Sequence, residues 1–317
     1  AEFGLGMRMA ANVQTELARR RLQEVSSQLD PEFVEDLLHG PQLTEHDLQS
    51  QQHRVKELQA KLADMEQTPA VRDLMSVADH LLRRSVWIIG GDGWAYDIGS
   101  GGVDHVLASG RDVNVLVLDT EVYSNTGGQA SKSTPLGAVA KFASAGKPTA
   151  KKDMALQAIA YGSVYVARVA LGADPQQTLR AFREAEAYPG PSLIIAYSHC
   201  IAHGYDLRNG LDQQYKAVHC GHWPLMRYNP VLADEGRNPF LLDSPKPDET
   251  WREYTKLELR YRMLQKAHPE EAERMLDLGQ RQVERRYAEY AEMASRTAED
   301  FAVDARMSEF AASSNRA

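Results

Sequence analysis

Gly91-Asp92-Gly93 follows an apolar run, Val86–Ile89, and Thr120, Glu121, Val122, Tyr123, Ser124 and Asn125 follow a second, Val115–Leu118. Asp92 offers a hard anionic oxygen of the kind Mg²⁺ prefers. Thr120 can add a hydroxyl and Val122 a main-chain carbonyl, and Mg²⁺ completes its octahedral oxygen shell with phosphates and water. Glycines at 90, 91 and 93 let the backbone approach a phosphate and adopt positive φ. Asn125 can add an amide contact, and Thr126-Gly127-Gly128 reads as a flexible turn able to close over a ligand. The chemistry implied is a divalent cation bridging a diphosphate, provided the two clusters meet.

Elements that would make them meet are legible. Val86–Ile89 and Asn114–Leu118 read as strands and Tyr96–Ala108 as the helix between them. A strand–helix–strand unit of this length is a right-handed parallel crossover, and parallel α/β sheets bind ligands beyond the carboxyl ends of their strands. Ser163–Leu171 and Ser192–Tyr197 read as further strands around a helix at Pro175–Ala187, so the predicted fold is α/β, a parallel sheet covered by helices. Residues 1–84 read as helical: Ala10–Val25, Glu32–Leu38, a helix opened by a capping box at Thr44 with an apolar stripe Val55, Leu58, Leu62, Met65, and Val71–Leu82. Tyr205–Asp248, rich in Asn, Asp, Pro and Gly, reads mostly as loop, Trp251–Ala294 as helical, and the end from Ser308 as frayed. The predicted organisation is therefore a helical segment 1–84 that ends or follows a preceding domain, an α/β domain 85–245, and a helical C-terminal extension 246–317.

Gly-Asp-Gly alone is a weak signal, since Gly and Asp are default turn residues. Here 31 residues, 94 to 124, separate Gly93 from Asn125. A Gly-Asp-Gly after one buried strand and an Asn just past the next is the thiamine diphosphate signature. The stretches Gly91–Gly99, Asp119–Gln129 and Tyr188–Tyr197, with Lys151-Lys152-Asp153 and Tyr161–Ala167, resemble the C-terminal, thiamine diphosphate-binding domain of the pyruvate:ferredoxin (flavodoxin) oxidoreductases. The resemblance is dense over residues 85–245 and looser in the flanks.

That resemblance implies oxidative decarboxylation of pyruvate to acetyl-CoA and CO₂, with CoA as co-substrate and electrons leaving through [4Fe–4S] clusters to ferredoxin or flavodoxin. It implies Mg²⁺ on Asp92, Thr120 and Val122, and diphosphate against Gly91, Asp92, Gly93, Trp94 and the run from Thr120 through Glu121, Val122, Tyr123 and Ser124 to Asn125. Asn125 is also placed near the reacting carbonyl. Cys200 becomes one ligand of a [4Fe–4S] cluster, and Asp112 with Asn114 a possible Ca²⁺ site. Four thiolates are needed per cluster, so three must come from elsewhere. The acidic activator of the thiazolium and the CoA-binding region are also missing, which makes the chain part of an enzyme, inactive alone. Partners implied are pyrimidine-binding and ferredoxin-like domains of the same enzyme and a homodimer.

Composition agrees with a globular enzyme: 43% apolar and 25% charged. A net charge of −8 gives a nucleic-acid partner no electrostatic support. No apolar run approaches the roughly 18 residues that span a bilayer. Two cysteines exclude a disulfide framework and, with no signal-peptide pattern, fit the cytoplasm. The chain opens without an initiator Met, as the interior of a longer polypeptide would. Cys200 and Cys220 lie among His199, His203, His219 and His222, but the spacing lacks the Cys-x₂-Cys half of a usual zinc site; Cys220 reads as structural. Asp97, Asp104 and His105 read as helix surface. Two other functions stay open on the residues: a non-redox thiamine diphosphate-dependent 2-oxoacid decarboxylase, and a non-catalytic assembly module using its helical ends.

Overall fold

The computed structural model describes residues 1–301 in two compact units, Phe3–Val86 and Ala1–Glu2 with Trp87 onward. The frayed end expected from Ser308 lies outside the described residues. No helix of the described residues is long and apolar enough to cross a membrane.

The first unit is helical: most of α1 (Glu2–Val25), then α2 (Pro31–His39), α3 (Glu45–Asp64) and α4 (Pro69–Val77). Its helices start where side chains can cap them. Asp30 accepts from the Phe33 amide, and Thr44 and Asp47 form the reciprocal capping box read from the sequence. The stripe Val55, Leu58, Leu62 packs with Leu22, Val71 and Leu74 into a fully buried core. One polar group enters it: Gln51 donates to the Leu37 and Leu81 carbonyls at 2.9 and 3.2 Å, which satisfies carbonyls at two element ends.

The second unit is built on a six-stranded sheet: β1 (Trp87–Gly90), β2 (Asn114–Asp119), β3 (Tyr165–Val169), β4 (Ser192–Tyr197), β5 (Met226–Tyr228) and β6 (Phe240–Leu242). The order is β1-β2-β4-β3-β5-β6. The first three pairings are parallel and the last two antiparallel. The central strands are apolar without alternation because both faces are covered; every residue of β3 is buried. Where the sequence suggested mostly loop after Tyr205, the chain makes α9 (Gly210–His219), β5, the short α10 (Pro230–Asp234) and β6. Two three-residue strands are too short to show a period. The segment before β3 holds α7 (Met154–Ile159), also unforeseen, and α8 (Pro175–Ala187) links β3 to β4.

The helix expected over Tyr96–Ala108 divides into α5 (Asp92–Tyr96) and α6 (Ser100–Ala108). Gly99 sits so close to the Trp94 backbone that any Cβ would overlap it, and the Asp97 carboxylate is engaged elsewhere. The sheet is followed by α11 (Trp251–Thr255), α12 (Leu259–Ala267) and α13 (Pro269–Ser295). Gly279 of α13 lies against the Trp251 ring, which is 2% exposed, and a Cβ there would collide with it. Gly279→Ala is therefore expected to destabilise by about 1–3 kcal/mol through overpacking, although Ala is the better helix former. A urea midpoint that rises in the variant would contradict this packing.

Candidate functional site

Parallel pairing of Gly90 with Val117 brings the ends of β1 and β2 to one edge of the sheet. Asp92, 3% exposed, stands just past the first end and is held by the second. Its Oδ2 accepts from the Thr120 amide at 3.1 Å and lies 2.5 Å from the Thr120 hydroxyl. Its Oδ1 accepts from the Glu121 amide at 3.0 Å and the Ser133 hydroxyl at 2.7 Å. The Thr120 hydroxyl also lies 3.1 Å from the Val122 carbonyl. Neighbouring ligands of an octahedral ion at 2.0–2.1 Å are about 3 Å apart. The Thr120 hydroxyl thus lies within 3.1 Å of an oxygen of both Asp92 and Val122. The Thr120 carbonyl is taken by His203, whose Nε2–H donates at 2.7 Å. Burial, then the Arg260 charge, pushes the His203 pKa down to about 4, which keeps the ring neutral.

Glu121 sits between these ligands with φ of +60°. A non-glycine residue in this region costs about 1–3 kcal/mol and persists only where its surroundings fix it. Here they do. Its carbonyl accepts from Thr134 Oγ1 at 2.6 Å, and its carboxylate, fully buried, meets Lys151 at 3.3 Å, His222 Nε2 at 3.0 Å and Arg260 at 2.7 Å. The Trp251 indole N–H donates to His222 Nδ1 at 3.1 Å. Indole only donates, so Nδ1 is unprotonated and Nε2–H faces Glu121. Lys151 also grips both oxygens of Asp119, at 2.8 and 2.7 Å, and Arg260 bonds Glu258 at 2.6 Å.

Three buried carboxylates, Asp119, Glu121 and Glu258, therefore share two buried cations, Lys151 and Arg260, and the buried Asp92 lies beside them. Burial raises the pKa of Asp92 to about 7, and the neighbouring Asp119 adds to it. Burial opposes ionisation of Glu121 as well, but Lys151, His222 and Arg260 hold its pKa well below the usual range.

The remaining expectations sort themselves by position. Glu121, expected on the diphosphate surface, turns its side chain inward. Gly90, Gly91 and Gly93 are not at positive φ; Gly127 and Gly128 are, at +111° and +82°. Gly90 and Gly93 are small because the rings of Trp94 and Tyr123 lie over them. Gly91, Trp94 and Tyr123 line the same edge, Gly91 exposed and the two rings half-buried. The turn carrying exposed Asn125 is internally braced: the Gly128 amide donates to Tyr123 O at 2.8 Å, and Gln129 Nε2 donates to Thr126 O at 2.9 Å. Cys200, 5% exposed, joins this loop through Ser124, with Oγ and Sγ 3.0 Å apart.

Asp112 and Asn114 lie at the opposite edge, at the start of β2, where Asn114 Oδ1 is buried without a hydrogen-bond partner. Asp97, taken as helix surface, instead braces the 131–133 loop through the Ser131 hydroxyl at 2.5 Å and the Lys132 amide at 3.0 Å. Asp104 accepts from Tyr161 at 2.6 Å. Among the described residues no group of three His, Cys, Asp or Glu is arranged to hold a metal. Three of the four histidines near the cysteines are engaged otherwise: His219 with Asp248 at 2.9 Å, His203 and His222 as above. Cys220 is buried, with Sγ donating to Ala217 O at 3.4 Å.

Residues 74–196 match the thiamine pyrophosphate enzyme, C-terminal TPP binding domain. Over most of its length the chain is similar to pyruvate-flavodoxin and pyruvate:ferredoxin oxidoreductases. It is 54% identical over 299 residues to the pyruvate-flavodoxin oxidoreductase of Trichormus variabilis, covering 93% of this chain and 25% of that one. It is 48% identical over 301 residues to the pyruvate:ferredoxin oxidoreductase of Moorella thermoacetica, covering 93% and 26%. The chain thus spans about a quarter of the length of these relatives. A solved 2-oxoglutarate:ferredoxin oxidoreductase from Magnetococcus marinus aligns over 37% of this chain and 40% of that one, at 25% identity and a TM-score of 0.34.

Proposed function

We propose that this chain supplies the magnesium- and diphosphate-binding part of the cofactor site in a pyruvate oxidoreductase. The complete enzyme would convert pyruvate and CoA to acetyl-CoA and CO₂ and pass electrons through [4Fe–4S] clusters to ferredoxin or flavodoxin. The observation that carries the reading is the convergence of the Asp92 carboxylate, Thr120 hydroxyl and Val122 carbonyl at the carboxyl ends of two parallel strands. The names of the relatives supply pyruvate and the acceptors.

Thiamine diphosphate, when bound, supplies the electron sink that lets a 2-oxo acid lose its carboxylate. The protein's part is binding, orientation and charge. Asp92, Thr120 and Val122 hold Mg²⁺. Gly91 to Trp94 and the run Thr120 to Asn125 carry the diphosphate, Glu121 only by holding the loop in shape, since its carboxylate, amide and carbonyl are all engaged within the protein. Asn125 presents its amide to the reacting carbonyl. Cys200 gives one thiolate to a cluster whose other ligands lie on further domains, and those domains also bring the pyrimidine contacts. A Ca²⁺ at Asp112 and Asn114 would satisfy the Asn114 oxygen. The enzyme is read as a cytoplasmic homodimer.

The test is pyruvate-dependent reduction of flavodoxin or ferredoxin by the complete enzyme, with CoA, Mg²⁺ and thiamine diphosphate each omitted in turn. Loss of reduction on each omission is the expected result. Release of CO₂ from pyruvate with no acceptor reduced would make it a non-redox decarboxylase. Failure of the complete protein to take up thiamine diphosphate would leave only an assembly role.

A further inference from the structure

We propose that Glu121 is a positioning residue for the cation site: its clamped side chain fixes the inverted backbone that sets the Thr120 hydroxyl and Val122 carbonyl beside Asp92. The inference rests on the cation reading above and deepens it. Glu121 touches neither cofactor nor substrate, since its carboxylate is fully buried on the inner side of the loop.

The backbone shows what the residue achieves. With φ of +60° at Glu121, two successive amides, of Thr120 and Glu121, point at Asp92, one to each carboxylate oxygen, at 3.1 and 3.0 Å. Successive N–H groups around a left-handed residue form an anion-binding concavity, here filled by the carboxylate that must face the metal. The Glu121 amide is also shared with Asp119 Oδ1 at 3.0 Å. The same inversion leaves the Thr120 hydroxyl within 3.1 Å of the Val122 carbonyl. Glycine is the usual residue for such a conformation, but glycine would give the protein nothing to hold. Glutamate gives a handle, and three separate parts of the chain grasp it: Lys151, His222 beyond α9, and Arg260 in α12. Arg260 is itself fixed by Glu258, which accepts from Gln213 at 3.0 Å and Tyr254 at 2.8 Å. Arg260 further ties the site to the next loop, because its carbonyl accepts from the Val139 amide at 2.9 Å. The C-terminal segment around α11 and α12 is thus a working part of the cation site.

The complete enzyme, titrated with Mg²⁺ at fixed thiamine diphosphate and followed by equilibrium dialysis of the cofactor, tests this. Glu121→Gln keeps the shape and releases the clamp. It is expected to raise the half-saturating Mg²⁺ concentration about tenfold, the size of effect typical when a ligand loses its outer support. Activity should return at saturating Mg²⁺, since no reacting group is lost. Arg260→Lys keeps the charge that the fold needs but cannot bridge both carboxylates, and should shift the same midpoint in the same direction. If Glu121 acts through Thr120, the Glu121→Gln/Thr120→Ala double variant should bind no worse than Thr120→Ala alone, because the two changes remove one arrangement. Additive losses, or a lower unfolding temperature with an unshifted Mg²⁺ midpoint, overturn the proposal. Asp92→Ala separates it from its foundation. If that variant binds cofactor with unchanged Mg²⁺ dependence, the cation reading itself fails. If it loses Mg²⁺-dependent binding while Glu121→Gln does not, only the positioning role fails.

Discussion

Replacing Asp92 with Ala in the complete enzyme is expected to weaken Mg²⁺-dependent thiamine diphosphate binding by roughly a hundredfold or more, since loss of mere outer-shell support already costs 10–100-fold. Asp92 is the one charged oxygen among the three that converge, and its two oxygens organise the Thr120 and Glu121 amides and the Ser133 hydroxyl. The loss should appear as the absence of cofactor uptake in dialysis at Mg²⁺ concentrations that saturate the parent enzyme. The apo fold should survive, as a circular dichroism spectrum would show, because burial and the neighbouring Asp119 already oppose the charge on Asp92. Uptake equal to that of the parent would remove the basis for magnesium at this edge of the sheet.

Lys151→Met should act in the opposite sense, on stability before binding. Its ammonium balances Asp119 and Glu121 together and rests 5.0 Å from the centre of the Trp223 ring and 5.3 Å from that of Tyr96. Methionine fills the space but leaves two carboxylates facing each other out of water. Removing one partner of a buried ion pair costs about 3–5 kcal/mol, which tryptophan fluorescence should register as a lower urea midpoint. Lys256→Met provides the contrast. Lys256 pairs with Glu253 on the surface, where such pairs contribute little, and its loss should leave the midpoint unmoved. Equal midpoints for the two variants would mean that the buried cluster is not the electrostatic centre of this unit.

The meeting of Asp92 with Thr120 was legible in the sequence because it follows from a rule of topology. Two strands joined by one helical crossover run parallel, so residues just past their ends share an edge. The apolar stripe at Val55, Leu58 and Leu62 and the capping box at Thr44 were legible for a local reason: helical period and capping are encoded within a few residues. What lies behind the site was not. Ser133, His222 and Arg260 reach Asp92 or Glu121 across 41, 101 and 139 residues, and no spacing rule connects such partners. The inward turn of the Glu121 side chain was not legible either, because it depends on one backbone angle fixed by those distant partners. That Gly90 and Gly93 also admit the rings of Trp94 and Tyr123 is a packing demand that no spacing shows. The antiparallel edge made by β5 and β6 escaped notice because three residues carry too little pattern.

The reach from Glu121 to Arg260 also has a consequence for synthesis. Ribosomes add about 5–20 residues per second, so the 139 positions between these partners take roughly 7–28 s to emerge. Throughout that interval the nascent loop lacks its guanidinium anchor, and an ion captured then would meet a half-built cage. Cofactor loading should accordingly be a late step in biogenesis, reached only after α12 has left the exit tunnel and settled.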